Sequence, residues 1–112
     1  MSLETPNVID ICAVDKSRGC ALLIITDHLE WGSREASHLA ALTAKINAYL
    51  GFIESGEIFE SYPAARGRAL VIRVLGKYAL TRGAAEFYRV AGEAVARAGC
   101  ALEFEDCSQR TG

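Results

Sequence analysis

The stretch Leu39–Glu57, LAALTAKINAYLGFIESGE, decides the fold of this chain. Its large apolar residues recur three or four positions apart, at Leu39, Leu42, Ile46, Tyr49, Leu50 and Ile53. This spacing is typical of one face of an α-helix, because a helix turns once in about 3.6 residues. We therefore predict a long helix that packs one face against a sheet.

The opposite side of this helix carries small side chains and few charges. The residues are Ser37, Ala41, Ala44, Ala48, Gly51 and Ser55. Small side chains let a second element approach closely, so this surface is the candidate interface of a homodimer. The alternative is exposed alanine without a partner, since alanine favours helices on its own.

The residues around this stretch predict where the helix begins and ends. Ser33 is a suitable N-cap, and Gly56 is placed to terminate the helix. Lys45 and Asn47 are expected on its outer flank. Asparagine is a poor helix former, so Asn47, together with Trp31 and Glu54, is a candidate ligand contact. The alternative for Asn47 is an ordinary solvated amide.

Strand-like segments flank the helix on both sides. Two come before it, Asn7–Asp15 and Cys20–Asp27, and the short connection between them favours an antiparallel hairpin. After it come a strand over Ala69–Tyr78, a second helix from a Thr81 cap to about Ala98, and a strand over Cys100–Glu105. The order ββαβαβ predicts an α+β two-layer sandwich with a four-stranded mixed sheet and two helices on one face.

Composition restricts the class of protein. The 112 residues are 51% hydrophobic and carry a net charge of −2, which fits one domain, 1–112, with a disordered tail from about Cys107. The absence of a basic excess disfavours nucleic-acid binding. No segment has the length or the flanks of a membrane span or a signal peptide. Because the four cysteines form no C-x-x-C pair, we expect reduced thiols and a cytoplasmic protein.

The loop Asp27-His28-Leu29-Glu30-Trp31 is the densest cluster of reactive side chains. A histidine between carboxylates suits general acid–base catalysis, so His28 with Asp27 or Glu30 is a candidate catalytic group. A metal site helped by Glu35 and His38 is a second alternative, although two histidines ten residues apart do not match a zinc helix. The structural alternative is that Trp31 covers the helix start while a carboxylate binds backbone N–H groups. No cofactor is predicted.

Several segments together resemble a family of small bacterial proteins known as a domain of unknown function. They are NVID from Asn7, DHLEW from Asp27, KINAYLGFIESGEI from Lys45 and YP at Tyr62. The resemblance spans nearly the whole chain. It implies a bacterial single-domain α+β protein, and it implies no activity, substrate or cofactor.

Three hypotheses about function follow. The first is a non-enzymatic interaction or binding module that forms a homodimer through the first helix, with a further protein partner as an extension. The second is a small enzyme or metal protein that uses His28. The third is an immunity-type inhibitor, for which small size and mild acidity are the evidence.

Overall fold

Four strands and three helices make up the part of the chain that the computed structural model describes, residues 11–32 and 34–107. In chain order they are β1 (Ile11–Asp15), β2 (Cys20–Asp27), α1 (Glu35–Ser55), α2 (Glu57–Ser61), β3 (Ala69–Gly76), α3 (Arg82–Arg97) and β4 (Ala101–Asp106). A 3₁₀ turn, Pro63–Ala65, lies between α2 and β3. The predicted α+β class is confirmed, with α2 as an additional short helix.

The sheet follows the order of the chain, β1-β2-β3-β4. β1 and β2 form the predicted antiparallel hairpin, whereas β2–β3 and β3–β4 are parallel pairs. Parallel neighbours require crossover connections, which α1 and α3 provide. The carboxyl ends of β2, β3 and β4 therefore meet at one edge, where Asp27 pairs with Gly76 and Gly76 pairs with Asp106.

The main core lies between the sheet and the helices. Alternate residues of the two central strands face it, namely Ala21, Leu23, Ile25, Leu70, Ile72 and Val74. Leu42, Ile46 and Tyr49 of α1 and Val95 of α3 pack against them in the same cluster. Both long helices therefore cover one face of the sheet, as predicted.

The ends of α1 agree in part with the prediction. Gly56 terminates the helix in the left-handed conformation, with φ 84°, which glycine adopts without a steric penalty. The N-cap position is Arg34, whose side chain makes no capping hydrogen bond. Ser33, the predicted cap, lies outside the described residues.

The prediction for Lys45 was wrong, because its side chain is buried in the core and not on the outer flank. Lys45 is 0% exposed, and its Nζ lies 5.3 Å from the centroid of the Tyr49 ring. Its position is four residues before Tyr49 and three after Leu42, so helical periodicity places it on the sheet-facing side. We expected an exposed side chain because lysine is polar, whereas the helical spacing indicated a buried one.

The beginnings of α1 and α3 contact each other. Thr81 caps α3 as predicted, and its Oγ1 accepts a hydrogen bond from the Ala84 N–H at 3.1 Å. The same hydroxyl donates to the Glu35 carboxylate at 2.6 Å. Gly83 gives Glu35 room, since a Cβ at Gly83 would lie 2.6 Å from Glu35 Oε2. This contact fixes the start of α1 beside the carboxyl edge of the sheet.

The other face of the sheet has a small apolar cluster of its own, formed by Cys20, Leu22 and Val71. Arg18, in the β1–β2 turn, reaches Glu103 on β4 with an Nη2–Oε2 distance of 2.6 Å. Arg73 also contacts Glu103, at 2.7 Å. The ion pairs therefore extend across the two central strands on the face without helices.

The described ends of β3 and β4 differ from the prediction by one or two residues. β1 is described from Ile11, so the predicted start at Asn7 lies outside the described residues, as does the tail after Cys107. β3 ends at Gly76 rather than at Tyr78, and β4 covers Ala101–Asp106. Among the described helices, none combines the length and apolarity that a membrane crossing requires.

Candidate functional site

A cavity of about 510 Å³ opens at the carboxyl edge of the sheet, beside the start of α1. Its walls come from the loop after β2, the first turn of α1 and the segment after β3. The lining residues are His28, Leu29, Glu30, Trp31, Arg34, Ser37, His38 and Tyr78. In open sheets with parallel strands, ligands bind at this edge because loops and helix starts converge there. We call this cavity the strand-end pocket.

The wall of the strand-end pocket rests on a buried pair formed by Asp27 and His38. His38 Nε2 lies 2.8 Å and 2.6 Å from the two carboxylate oxygens of Asp27. Both side chains are only 2% exposed. An ionised carboxylate accepts hydrogen bonds and cannot donate, so an ionised Asp27 pairs with a His38 that carries its proton on Nε2. The Leu29 N–H, within the loop, also donates to Asp27 at 3.1 Å.

The second nitrogen of His38, Nδ1, makes no hydrogen bond to the described residues. This nitrogen is buried and finds no partner within residues 11–32 and 34–107, and His38 is one of the residues that line the pocket. Trp31 covers the ring, with centroids 3.6 Å apart and an interplanar angle of 19°. The imidazole is thus fixed from two sides, by a carboxylate at Nε2 and by an indole across its face. Fixed orientation is what a binding or proton-transfer site requires of a histidine.

Tyr88 of α3 belongs to the same buried region. Burial raises the pKa of its phenol far above the ordinary value, and the nearby charge of Asp27 raises it further. Its hydroxyl is buried, and no described residue forms a hydrogen bond with it. Its ring contacts Phe87 and Phe104, so Tyr88 is a neutral, apolar neighbour of the Asp27–His38 pair.

The rim of the strand-end pocket is polar and accessible. The Tyr78 hydroxyl donates to the exposed Glu30 carboxylate at 3.2 Å. Arg34 and Ser37 are exposed on the first turn of α1, and Arg34 forms no ion pair within residues 11–32 and 34–107. His28 is half-buried, and its Nδ1 is a buried atom that has no partner in the part of the chain that the structure describes.

The structure brings together most of the predicted loop residues, but the histidine that pairs with Asp27 is not the predicted one. His28, Glu30 and Trp31 line the pocket, whereas Asp27 bonds to His38 and not to His28. Sequence reasoning missed His38 as the central histidine. The signal was present, because residues 38, 42, 45 and 49 are spaced as one buried helical face.

The other predicted positions lie elsewhere on α1. Ser37, Ala44, Gly51 and Ser55 are exposed, and Ala41 and Ala48 are half-buried. Asn47 and Glu54 are exposed, and Asn47 borders an apolar groove between α1 and α3. Only Ser37 of the small-residue surface touches the strand-end pocket. Within the described residues, no three His, Cys, Asp or Glu side chains are grouped closely enough to hold a metal ion.

Comparison with known proteins places the chain in one family. Residues 1–108 match the family of unknown function DUF6572, and the chain belongs to that family. No curated protein and no solved structure matches the chain significantly. The family carries no assigned activity, so the function must be argued from the site itself.

Proposed function

We propose that the protein is a binding module for a small ligand, which it takes up in the strand-end pocket. The observation that carries this proposal is a histidine oriented by a buried carboxylate, stacked under the only tryptophan, with one nitrogen left unpartnered beside a cavity. A buried polar atom without a partner is costly, so such an atom next to a cavity favours a ligand that pairs with it.

Several features of the pocket support binding. A volume of about 510 Å³ lies within the usual range for small-molecule sites, roughly 300–1,000 Å³. The walls combine apolar area from Leu29 and Trp31 with polar groups from His28, Arg34 and Tyr78. The residues that shape it are held by the Asp27–His38 pair and by the Thr81–Glu35 contact, so the site is preformed.

Trp31 gives a direct test. Since it is the only tryptophan and lines the pocket, intrinsic fluorescence reports events there without a label. We expect ligands from a fragment screen to change Trp31 emission and to raise the melting temperature together. Ser37→Leu, at an exposed position of α1, should fill the pocket and abolish both effects while the circular dichroism spectrum is unchanged.

Glu103→Gln is the matched control, because Glu103 lies on the helix-free face of the sheet. It should leave every fragment response as in the parent protein. Fragments that respond equally in the Ser37→Leu variant, or a screen without any response, would refute binding in the strand-end pocket.

We propose as a second function that the outer face of α1 joins two copies of the chain. The supporting observation is that the exposed small residues Ala44 and Gly51 lie on the helix that forms an apolar groove with α3, where Val90 is 53% exposed. Cys20, Cys100 and Cys107 are free thiols, which supports a reducing, cytoplasmic location.

Light scattering tests the second function. Ala44→Arg should convert a dimer to a monomer, whereas Ala96→Arg, at an exposed alanine of α3, should not. A parent protein that is monomeric at all concentrations, or a dimer that tolerates Ala44→Arg, would exclude this face as the contact.

A further inference from the structure

The charge around the strand-end pocket indicates what kind of ligand it takes. Resting on the proposed function, we propose that the pocket binds an oxyanion, a carboxylate or phosphate group, between the Arg34 guanidinium and the Nδ1 side of His38. Arg34 carries a permanent positive charge and is not neutralised by any described carboxylate. A guanidinium and a carboxylate or phosphate match in geometry and charge.

The carboxylates near the pocket do not favour a cation instead. Asp27 accepts from His38 and from the Leu29 N–H, and Glu35 accepts from Thr81. Only Glu30 remains at the rim, where it is exposed and accepts from the Tyr78 hydroxyl. A metal ion needs several such ligands close together, and no group of three exists among the described residues.

The start of α1 adds to the attraction for an anion. The first turn of a helix presents backbone N–H groups and the positive end of the helix dipole. Arg34, Ser37 and His38 all belong to this start and all line the pocket. This alone would not define a site. The buried, unpartnered Nδ1 of His38 is the independent observation that does, because His38 is only 3% exposed and borders the cavity.

Anion binding at this nitrogen requires a proton. With the shared proton on Nε2, a neutral His38 presents a bare lone pair at Nδ1, which repels an oxyanion. Taking up one proton makes Nδ1 a donor, and the Asp27 carboxylate balances the new positive charge. Asp27 contacts this ring, and the other charged or titratable groups that line the pocket are His28, Glu30, Arg34 and Tyr78. Lys45 is buried on the same helix, and Tyr88 lies near Asp27. The oxyanion should therefore bind together with one proton.

Titration with inorganic phosphate and with acetate tests the proposal. Calorimetry and Trp31 fluorescence should show saturable binding of at least one of these anions, with an apparent affinity that falls as the pH rises, because binding takes up a proton. The heat should depend on the ionisation enthalpy of the buffer, since a proton is taken up. Preference for phosphate or for acetate identifies which oxyanion group the ligand carries.

Variants at exposed positions separate the site from the fold. Arg34→Gln should weaken anion binding about tenfold or more, because it removes a charge-assisted contact. Glu30→Gln should strengthen binding by about twofold to fivefold, because it removes a like charge from the rim. Arg18→Gln, on the opposite face, is the matched control and should leave the affinity unchanged.

Each contrary result has a distinct meaning. If neutral or cationic fragments bind in the pocket while phosphate and acetate do not, the oxyanion assignment is wrong and the proposed binding function stands. If anions bind equally well to Arg34→Gln, the site lies elsewhere and the assignment is overturned. If no fragment of any charge binds, both proposals fail.

Discussion

Two regions of this molecule hold a carboxylate against a basic side chain at the same distance, and they differ in almost everything else. Asp27 and His38 are 2.6 Å apart and each is 2% exposed. Glu103 and Arg18 are also 2.6 Å apart, but their side chains are 30% and 42% exposed. Distance alone therefore does not tell what an ionic contact contributes.

The environment decides the difference. Water and salt screen the Arg18–Glu103 contact, so it contributes little to stability. Burial makes Asp27 and His38 depend on each other, because either side chain alone would be a polar group without a partner inside the protein. A buried, mutually dependent pair of ionisable side chains next to a cavity is typical of functional sites.

The largest loss of stability should come from breaking the buried Asp27–His38 pair. Asp27→Ala leaves His38 without its partner and removes the acceptor of the Leu29 N–H. We expect the free energy of unfolding to fall by about 3–5 kcal/mol in urea denaturation. Glu103→Gln should cost far less. Equal losses for the two variants would show that burial does not distinguish the two contacts.

The second largest loss of stability should come from overpacking the carboxyl edge of the sheet. A Cβ at Gly76, which pairs with Asp27, would collide with the Phe104 ring. Gly76→Ala should therefore lower the free energy of unfolding by about 1–3 kcal/mol, as overpacking does. Gly92→Ala in α3, where a Cβ meets nothing within 4 Å, is the control and should be neutral or stabilising. Tolerance of both changes would contradict a tightly filled edge.

Acid should weaken the exposed contact in a defined range. Hydrogen bonds from Arg18 and then Arg73 lower the pKa of Glu103 from 4.5 to about 2. Since the folded pKa is the lower one, the contribution is complete above pH 4.5 and is lost as the pH falls towards 2. Solvent screening limits it to about 1 kcal/mol. Unfolding measured over this range should show a smaller pH slope in Glu103→Gln, and an unchanged slope would refute the assignment.

Salt should have the smallest effect on stability, and it should weaken only the exposed Arg18–Glu103 contact. At about 1 M sodium chloride the Debye length is about 3 Å, so the stability difference between the parent and Glu103→Gln should shrink by about half. The difference between the parent and Asp27→Ala should not change, because solvent ions do not reach that pair. A parallel salt response of both differences would contradict the comparison.

Much of the fold could be predicted from the sequence, because apolar spacing and end signals are local. The order ββαβαβ, the Thr81 cap, the Gly56 terminus and the two-layer arrangement all follow from such patterns. Strand order could not be predicted, since it depends on which edges the crossovers reach. The helix α2 was ambiguous because its five residues, Glu57–Ser61, are too few for a periodic pattern.

The candidate site was predicted only in part. The loop from Asp27 to Trp31 was singled out for its reactive side chains, and three of its members line the pocket that the structure reveals. Lys45 was misjudged because a polar residue was assumed to face water, and His38 was considered only as a helper in a metal site. The spacing of His38 and Lys45 with Leu42 and Tyr49 indicated that both are buried. The contact between Asp27 and His38 could be found only in the three-dimensional structure.

The central claim is that Asp27 fixes His38 so that Nδ1 can serve a bound oxyanion. Long-range proton–nitrogen NMR of the labelled imidazoles at about pH 7.5 tests it most directly. The free protein should show His38 protonated at Nε2 and bare at Nδ1, and saturating phosphate should protonate Nδ1 while Nε2 keeps its proton. A free protein with the proton on Nδ1 alone, or imidazole signals that phosphate leaves unchanged, would contradict the claim.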